Sequence, residues 1–308
     1  MARFDPEPML FFALDGKVVV LTGGANGIGA STVSLLYEHG ASIVFGDKDA
    51  TAGTKLSESF AEQERVLFLE TDVTSYASTL ALFKEALRVH GRIDHAFAIA
   101  GVEEQGSWFH PSEGIESVET PPDPLALNVN LLGTLYFARI AAVYLHQNHS
   151  DSPEADKSIV LVSSVAGLTE SPGLPVYCAS KHGIIGLMRS LRTSLPTTHK
   201  ISVSAVCPWM TSTAMVNDLA GAWQRAGLPV NQAGDVARII AGLAALGEEG
   251  NGKAVYVEGG RGWDVEVGID ESRERWMGGA ASRAWEEGQR FLKGNPGSAA
   301  YWVQKRDE

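Results

Sequence analysis

The feature that most constrains this chain is an apolar, β-branched run at residues 17–22 (KVVVLT). It passes directly into a glycine-rich turn, Thr22-Gly23-Gly24-Ala25-Asn26-Gly27-Ile28-Gly29. Such a run reads as a strand buried on both faces, an environment supplied by a parallel sheet with helices on each side. The glycines permit a tight turn, close approach of backbone to a bound anion and close packing of helix on sheet. The N–H groups that open the following helix lack partners of their own.

The alternation continues along the chain. Strands are expected at 42–47 (SIVFGD), 66–70, 93–100 (IDHAFAIA), 158–163 (SIVLVS), 201–206 and 254–258. Helices are expected over 25–40, up to about 62, 75–90, 125–148 and 177–195, while 101–123 lose periodicity and read as a loop. The fold class is therefore α/β: a single doubly wound parallel sheet of about seven strands, helices on both faces, and a C-terminal extension. We divide the chain into an arm at 1–16, a sheet domain at 17–260 and an extension at 261–308. A sheet of this kind binds its ligand at the carboxyl ends of the strands, where the strand order reverses.

At 308 residues and 44% hydrophobic, the chain can bury a substantial core. A net charge of −12 argues against nucleic acid or an anionic membrane surface as a partner. The apolar stretch at 9–14 is too short for a signal peptide or a membrane span. Cys178 and Cys207 provide neither a disulfide framework nor metal-ligand spacing, so no metal is expected and the location expected is cytoplasmic.

Tyr177 and Lys181 stand four residues apart, on one face of the helix expected there. A lysine beside a tyrosine favours the phenolate and brings the phenol toward the range of a general acid or base. Asp47 ends the second strand, eighteen residues after Gly29. There it can accept hydrogen bonds from a ribose diol and repel a 2′-phosphate, so NAD is favoured over NADP. A plain turn residue is the competing reading of Asp47, and neighbouring Lys48 keeps NADP open. Asp72 and Val73, after the third strand, read as an adenine contact.

Together these motifs resemble the short-chain dehydrogenase/reductase family from about residue 17 to 260. The glycine turn is the family's TGxxxGIG, Tyr177 and Lys181 are its YxxxK pair, and its serine falls on Ser164 in VSSVAG. The family's asparagine falls on Asn130 in NVNLLG, with Asn128 the competing register. The resemblance implies a Rossmann-like fold and hydride transfer with Tyr177 as proton relay. It makes Lys181 the residue that lowers the tyrosine pKa and holds the nicotinamide ribose, Ser164 the one that orients the substrate oxygen, and Asn130 the anchor for a water that links Lys181 to solvent. Ser163 should point to the opposite face. Cofactor contacts are expected at Gly23, Asn26, Gly27, Ile28, Gly29, Asp47, Asp72, Val73, Gly101, Tyr177, Lys181, Pro208, Thr211 and Thr213. Family members are commonly dimers or tetramers, so a homodimer or homotetramer is expected.

The chain departs from the family's pattern twice. Ala98-Ile99-Ala100-Gly101 replaces the usual Asn-Asn-Ala-Gly, and Pro208-Trp209 replaces Pro-Gly. Trp209 reads equally as a core anchor and as a wall of the substrate pocket. Trp108, Phe109, Leu168, Leu174, Met210, Met215 and Trp223 join it as pocket candidates. No arginine or lysine cluster accompanies them, which favours a hydrophobic secondary alcohol or its ketone (a steroid, terpenoid, prostaglandin-like lipid or polyketide). Among relatives the pattern is most similar to 15-hydroxyprostaglandin dehydrogenase-like proteins and fungal secondary-metabolite dehydrogenases. A non-redox isomerase, cyclase or dehydratase on the same scaffold is the alternative, and a nucleotide-sensing binding protein a more distant one. The extension carries Trp263, Trp276, Trp285 and Trp302 with Phe291 and Tyr301, too aromatic for a disordered tail. A helix is expected over 272–292, packed on the substrate entrance or on a neighbouring subunit.

Overall fold

The computed structural model describes residues 2–106, 108–147 and 156–294. In chain order its elements begin with β1 (Ala2–Phe4), β2 (Val18–Thr22), α1 (Gly27–Glu38), β3 (Ser42–Asp47), α2 (Ala50–Glu58), β4 (Val66–Glu70), α3 (Tyr76–His90) and β5 (His95–Ala98). A π-helical stretch, Leu127–Gly133, leads into α4 (Thr134–His146). There follow β6 (Ser158–Val162), α5 (Pro175–Leu191), α6 (Leu195–His199), β7 (Ser202–Pro208), β8 (Thr211–Ser212), α7 (Asn217–Arg225), β9 (Asn231–Gln232) and α8 (Ala233–Ala245). The described chain ends with β10 (Ala254–Glu258), β11 (Arg261–Asp264), α9 (Val265–Met277) and α10 (Gly279–Gly294).

The nine-stranded sheet has the order β1-β11-β10-β7-β6-β5-β2-β3-β4. Its seven strands from β10 to β4 run parallel, as the sequence suggests. β11 adds an antiparallel strand that folds back on β10. Every residue of β2, β5, β6 and β7 is buried, which explains why β2 and β6 read as nearly continuous apolar runs and why β7 interposes only small serines. Side chains still point to alternate faces. Val19 and Leu21 join Val33 and Leu36 of α1 and Ile239, Ile240 and Leu243 of α8 in one core layer. On the other face Phe83 of α3 and Phe137 of α4 meet with ring centroids 5.1 Å apart.

Helix ends follow their local chemistry. Ser75 caps α3 by accepting from Ser78 N at 3.3 Å, and Gly91, at φ 71°, ends it. Asp49 caps α2 through Ala52 N at 3.0 Å. Gln232 and Asp235 form a reciprocal capping box on α8.

Three expectations change. The helix expected over 125–148 contains a π-helical turn around Asn130. α8 was not anticipated, because it is buried nearly all round and so lacks the polar face that marks a helix in sequence. The tail helix expected over 272–292 is two helices, broken at Gly278, whose φ of 82° ends α9. Residues 3–264 form one compact unit and the segment from Val265 belongs to another. Within the latter, Arg273 lies 4.1 Å from the Trp285 ring centroid and bonds Glu286 at 3.2 Å. Trp302 and Tyr301 lie outside the described residues.

Asp94 fixes the entry to the two central strands. Its fully buried carboxylate accepts from Val18 N at 2.8 Å and from Arg92 at 2.5 Å, while Asp94 N donates to Val18 O. Asp94→Ala strands a buried N–H and an arginine, so a loss of about 3 kcal/mol is expected in urea unfolding, with Asp94→Asn losing less.

Candidate functional site

The strand order reverses between β2 and β5, and the site lies at their carboxyl ends. Gly23, at φ 72°, donates its N–H to Gly46 O at 2.8 Å. A Cβ there would lie 2.6 Å from the backbone of Ala100. At Gly29 a Cβ would lie 1.8 Å from Gly23 O, so α1 seats directly on the turn. Asn26 begins α1 without a side-chain cap, which leaves the first helical N–H groups directed out of the turn. This is a cradle for a pyrophosphate. Asp47, at the end of β3, accepts from Ala25 N at 2.9 Å and Asp49 N at 3.0 Å, which holds its carboxylate beside the turn. Lys48 extends toward Asp72, at 3.7 Å. Thr74 hydrogen bonds, assisted by Lys48, hold the Asp72 carboxyl below its ordinary range. Val73 packs on Gly133, where a Cβ would lie 3.0 Å from it.

Asn130 sits in the π-helical turn and is fully buried. Its Oδ1 accepts from Val102 N at 2.8 Å, and its Nδ2 donates to Val102 O at 3.0 Å and to Ser180 Oγ at 3.2 Å. Asn130, rather than Asn128, grips the segment after β5. A Cβ on Gly101 would lie 3.3 Å from both Asn130 Oδ1 and Lys181 Nζ, so only glycine lets this segment pass between them without crowding.

Ser164 Oγ accepts from Ala166 N at 3.2 Å and donates to Pro208 O at 3.4 Å, and Ser164 lines the same cavity as Tyr177. Ser163 Oγ instead donates to Lys181 O at 2.8 Å, against the backbone of α5. Lys181 is buried, with Nζ donating to Val162 O at 3.2 Å and lying 5.6 Å from the Tyr177 ring centroid. Burial lowers its pKa to about 8, opposed by the Cys207 thiol. The lowering of Tyr177 expected from Lys181 does not appear. Burial raises the phenol pKa, the Ser164 hydrogen bond opposes the rise and the Glu103 carboxylate adds to it. In a site this dry, desolvation outweighs the neighbouring ammonium.

Beyond Tyr177 opens a cavity of about 520 Å³, lined by Leu174, Trp209, Met210, Met215 and Trp223 and bordered by Ile28, Gly101 and Lys181. Trp209 is both wall and anchor: its ring meets Trp223 edge-on at 5.2 Å and Tyr256 at 6.2 Å. Trp223 Nε1 donates to Pro229 O at 3.0 Å. Trp108, Phe109 and Leu168, expected in the pocket, do not line it. Phe109 is 77% exposed, on the irregular segment between β5 and the π-helical turn. Thr213 reaches across to α1, its Cγ2 3.1 Å from where a Cβ on Gly27 would stand.

The sequence reading missed Glu103, Glu104, Glu170 and Asn231. Glu103 and Glu170 line the cavity. Asn231 is fully buried and ties Thr211 Oγ1, Val257 O and Gly260 N together. Their long-range partners leave no local pattern to read. Among the described residues there is no cluster of three or more histidines, cysteines or carboxylates able to hold a metal, and no helix long and apolar enough to cross a membrane.

Because the Lys181 pKa falls from 10.5 to about 8 on folding, the unfolded chain binds more protons between those values. The burial penalty is full below pH 8 and disappears as pH rises toward 10.5. Lys181→Met is expected to be more stable than the parent at pH 7 by roughly 2–3 kcal/mol, an advantage that shrinks as pH rises through this window. Paired urea melts at pH 7 and pH 10 measure it, and an advantage independent of pH would contradict this origin.

Residues 17–222 match the short chain dehydrogenase family. The short-chain dehydrogenase/reductase prx4 of Penicillium rubens is 32% identical, over 86% of this chain and 81% of its own. The 5′-hydroxyaverantin dehydrogenase of Dothistroma septosporum is 28% identical, over 86% of this chain and 90% of its own. The crystal structure of gox2181 superposes with a TM-score of 0.67 at 27% identity, covering 82% of this chain and 98% of that one. The chain belongs to the short-chain dehydrogenases, oxidoreductases that work with a nicotinamide cofactor.

Proposed function

We propose that this protein interconverts a hydrophobic secondary alcohol and its ketone with NAD(H). The observation that carries the reading is the convergence of Ser164, Tyr177 and Lys181 on one largely apolar cavity, beside an open glycine turn. A substrate oxygen bound between Ser164 and Tyr177 would meet both hydroxyls at once. Tyr177 would give a proton to a carbonyl oxygen or take one from a carbinol, while Ser164 orients that oxygen.

The residues present suit a dinucleotide: Gly23 and Gly29 leave no room for side chains, and α1 is uncapped. The turn and the α1 amides would hold the pyrophosphate. Asp47 would hold the adenosine ribose, Val73 would meet the adenine, and Lys181 and Thr213 would hold the nicotinamide end. When bound, the nicotinamide accepts hydride from the carbinol carbon or returns it to the carbonyl carbon. Asn130 acts through position, since its amide is engaged with Val102 and Ser180. The Asp47 carboxylate supports NAD, because a 2′-phosphate would be placed against it, and Lys48 is drawn toward Asp72.

Among the described residues lining the cavity, Lys181 is the only lysine or arginine, and Glu103 and Glu170 add negative charge, which disfavours carboxylate or phosphate substrates. The apolar wall suits a fused-ring or terpenoid-like alcohol, and a relative named as a dehydrogenase of 5′-hydroxyaverantin supports the alcohol reading. A homodimer or homotetramer remains part of the proposal, with Leu132, Leu135 and Val143 exposed along the π-helical turn and α4.

With borneol, 1-indanol and androsterone as probes, NADH formation at 340 nm is expected for at least one. Tyr177→Phe should lower its rate about a thousandfold. A tyrosine variant with parental turnover would defeat the reading. Asp47→Ser should shift the NAD/NADP ratio of kcat/KM toward NADP by at least about tenfold, in line with losing one charge against a phosphate. A parent that already prefers NADP would overturn the NAD assignment.

A further inference from the structure

Helix α5 carries Tyr177 in its first turn, and that turn is incomplete within the helix itself. Pro175 has no N–H, and Leu174 at the N-cap offers no side-chain acceptor. The N–H groups of Val176 and Tyr177 are therefore orphan donors. Both donate to one atom, Oε2 of Glu104, at 2.7 and 2.8 Å. Distances this short are characteristic of charge-assisted bonds, and a carboxylate suits the positive end of a seventeen-residue helix.

Glu104 does not reach this point as a loose surface side chain. It stands two residues after Val102, whose N–H and C=O are both held by Asn130. Asn130 also donates to Ser180 Oγ, and Ser180 Oγ donates to Tyr177 O at 2.7 Å. The network closes on itself. The Tyr177 N–H is fixed by Glu104 and its C=O by Ser180, and both partners trace back to Asn130, Glu104 through the Val102 segment and Ser180 directly. Adjacent Glu103 lines the cavity, while Glu104 is committed to the helix.

We propose that Glu104 is a positioning residue for Tyr177: its carboxylate closes the first turn of α5 and fixes the phenol against Ser164 and the substrate oxygen. This rests on the reading of Tyr177 as the proton donor and acceptor. A shift of about 1 Å in a reacting group is enough to cost on the order of a hundredfold in rate. Glu104 should therefore affect the chemical step more than it affects binding.

The test compares Glu104→Ala, Glu104→Gln and Glu104→Asp with the parent and with Tyr177→Phe, using whichever of borneol, 1-indanol and androsterone the parent oxidises fastest. In Glu104→Ala, deuterium exchange at the Val176 and Tyr177 amides should accelerate at least tenfold, by order of magnitude. Its kcat should fall about ten- to a hundredfold, with KM for the alcohol and NAD within about threefold. Glu104→Gln keeps a neutral acceptor at the same reach and should recover kcat to within about threefold. Glu104→Asp keeps the charge but loses one methylene of reach and should fall between them, which keeps the test decisive should the alanine variant fail to fold. Unchanged exchange in the alanine variant would overturn the cap. Accelerated exchange with kcat unchanged, or a rise in KM alone, would overturn the positioning role. Parental kcat in Glu104→Asp would do the same where the alanine variant does not fold. If Tyr177→Phe retains turnover, or none of the three alcohols is oxidised, it is the function reading that fails, and the exchange result on Glu104 still stands by itself.

Discussion

The Asn130 side chain spends its hydrogen bonds inside the protein, and the arrangement of the site follows from where they go. A primary amide buried without partners would cost several kcal/mol, so a fully buried asparagine must be matched by groups already in place. Here those groups are the two backbone polar atoms of Val102, just after β5, and the hydroxyl of Ser180 on α5. A single side chain thus sets the distance between the central strand and the helix that carries Tyr177 and Lys181. The π-helical turn is the local adjustment that brings it there, and Gly133 lets Val73 close over the same turn. Gly101 completes the fit, since a side chain at that point would press on both Asn130 and Lys181.

That geometry has an electrostatic consequence. Lys181 is buried at the end of β6, where its Nζ donates to the backbone carbonyl of Val162, and its ammonium is destabilised by burial. A structural lysine would be placed with its charge in water; this one is held where charge is disfavoured, an arrangement common at reactive sites. Asn231 repeats the principle on the other side of the site, fixing Thr211, β10 and the turn after it through one buried amide.

How much of this was legible depended on the range of the interaction. The parallel strands and the glycine turn were readable, because burial on both faces leaves continuous apolar runs and the turn needs glycine locally. Tyr177, Lys181, Ser164 and Asn130 were readable only as members of a motif; the first three line one cavity, and Asn130 lies buried behind them, bonded to Val102 and Ser180. Glu104 was not readable. Its partners are 72 and 73 residues away, and a pair of glutamates in a loop looks like ordinary solvated charge. The buried helix α8 lacked the polar stripe that periodicity needs. Trp209 could be read either way because it does both things: one side of its indole packs on Trp223 and Tyr256, and it also lines the cavity.

The opposite shifts of Tyr177 and Lys181 have one cause, removal from water, and this determines what the chain offers by itself. A full charge 5.6 Å from the ring would be worth about 3 kcal/mol at an effective dielectric near 20, enough to offset a substantial desolvation cost. With a pKa of about 8, Lys181 still carries its charge at neutral pH, but burial of the phenol works against that help. Glu103 works against the phenolate as well. At neutral pH the chain therefore presents Tyr177 as a protonated phenol, which in the proposed reaction would serve as donor to a carbonyl oxygen. In the proposed reaction, taking a proton from an alcohol would require a phenolate that burial disfavours, so the two directions would differ in what they ask of the site.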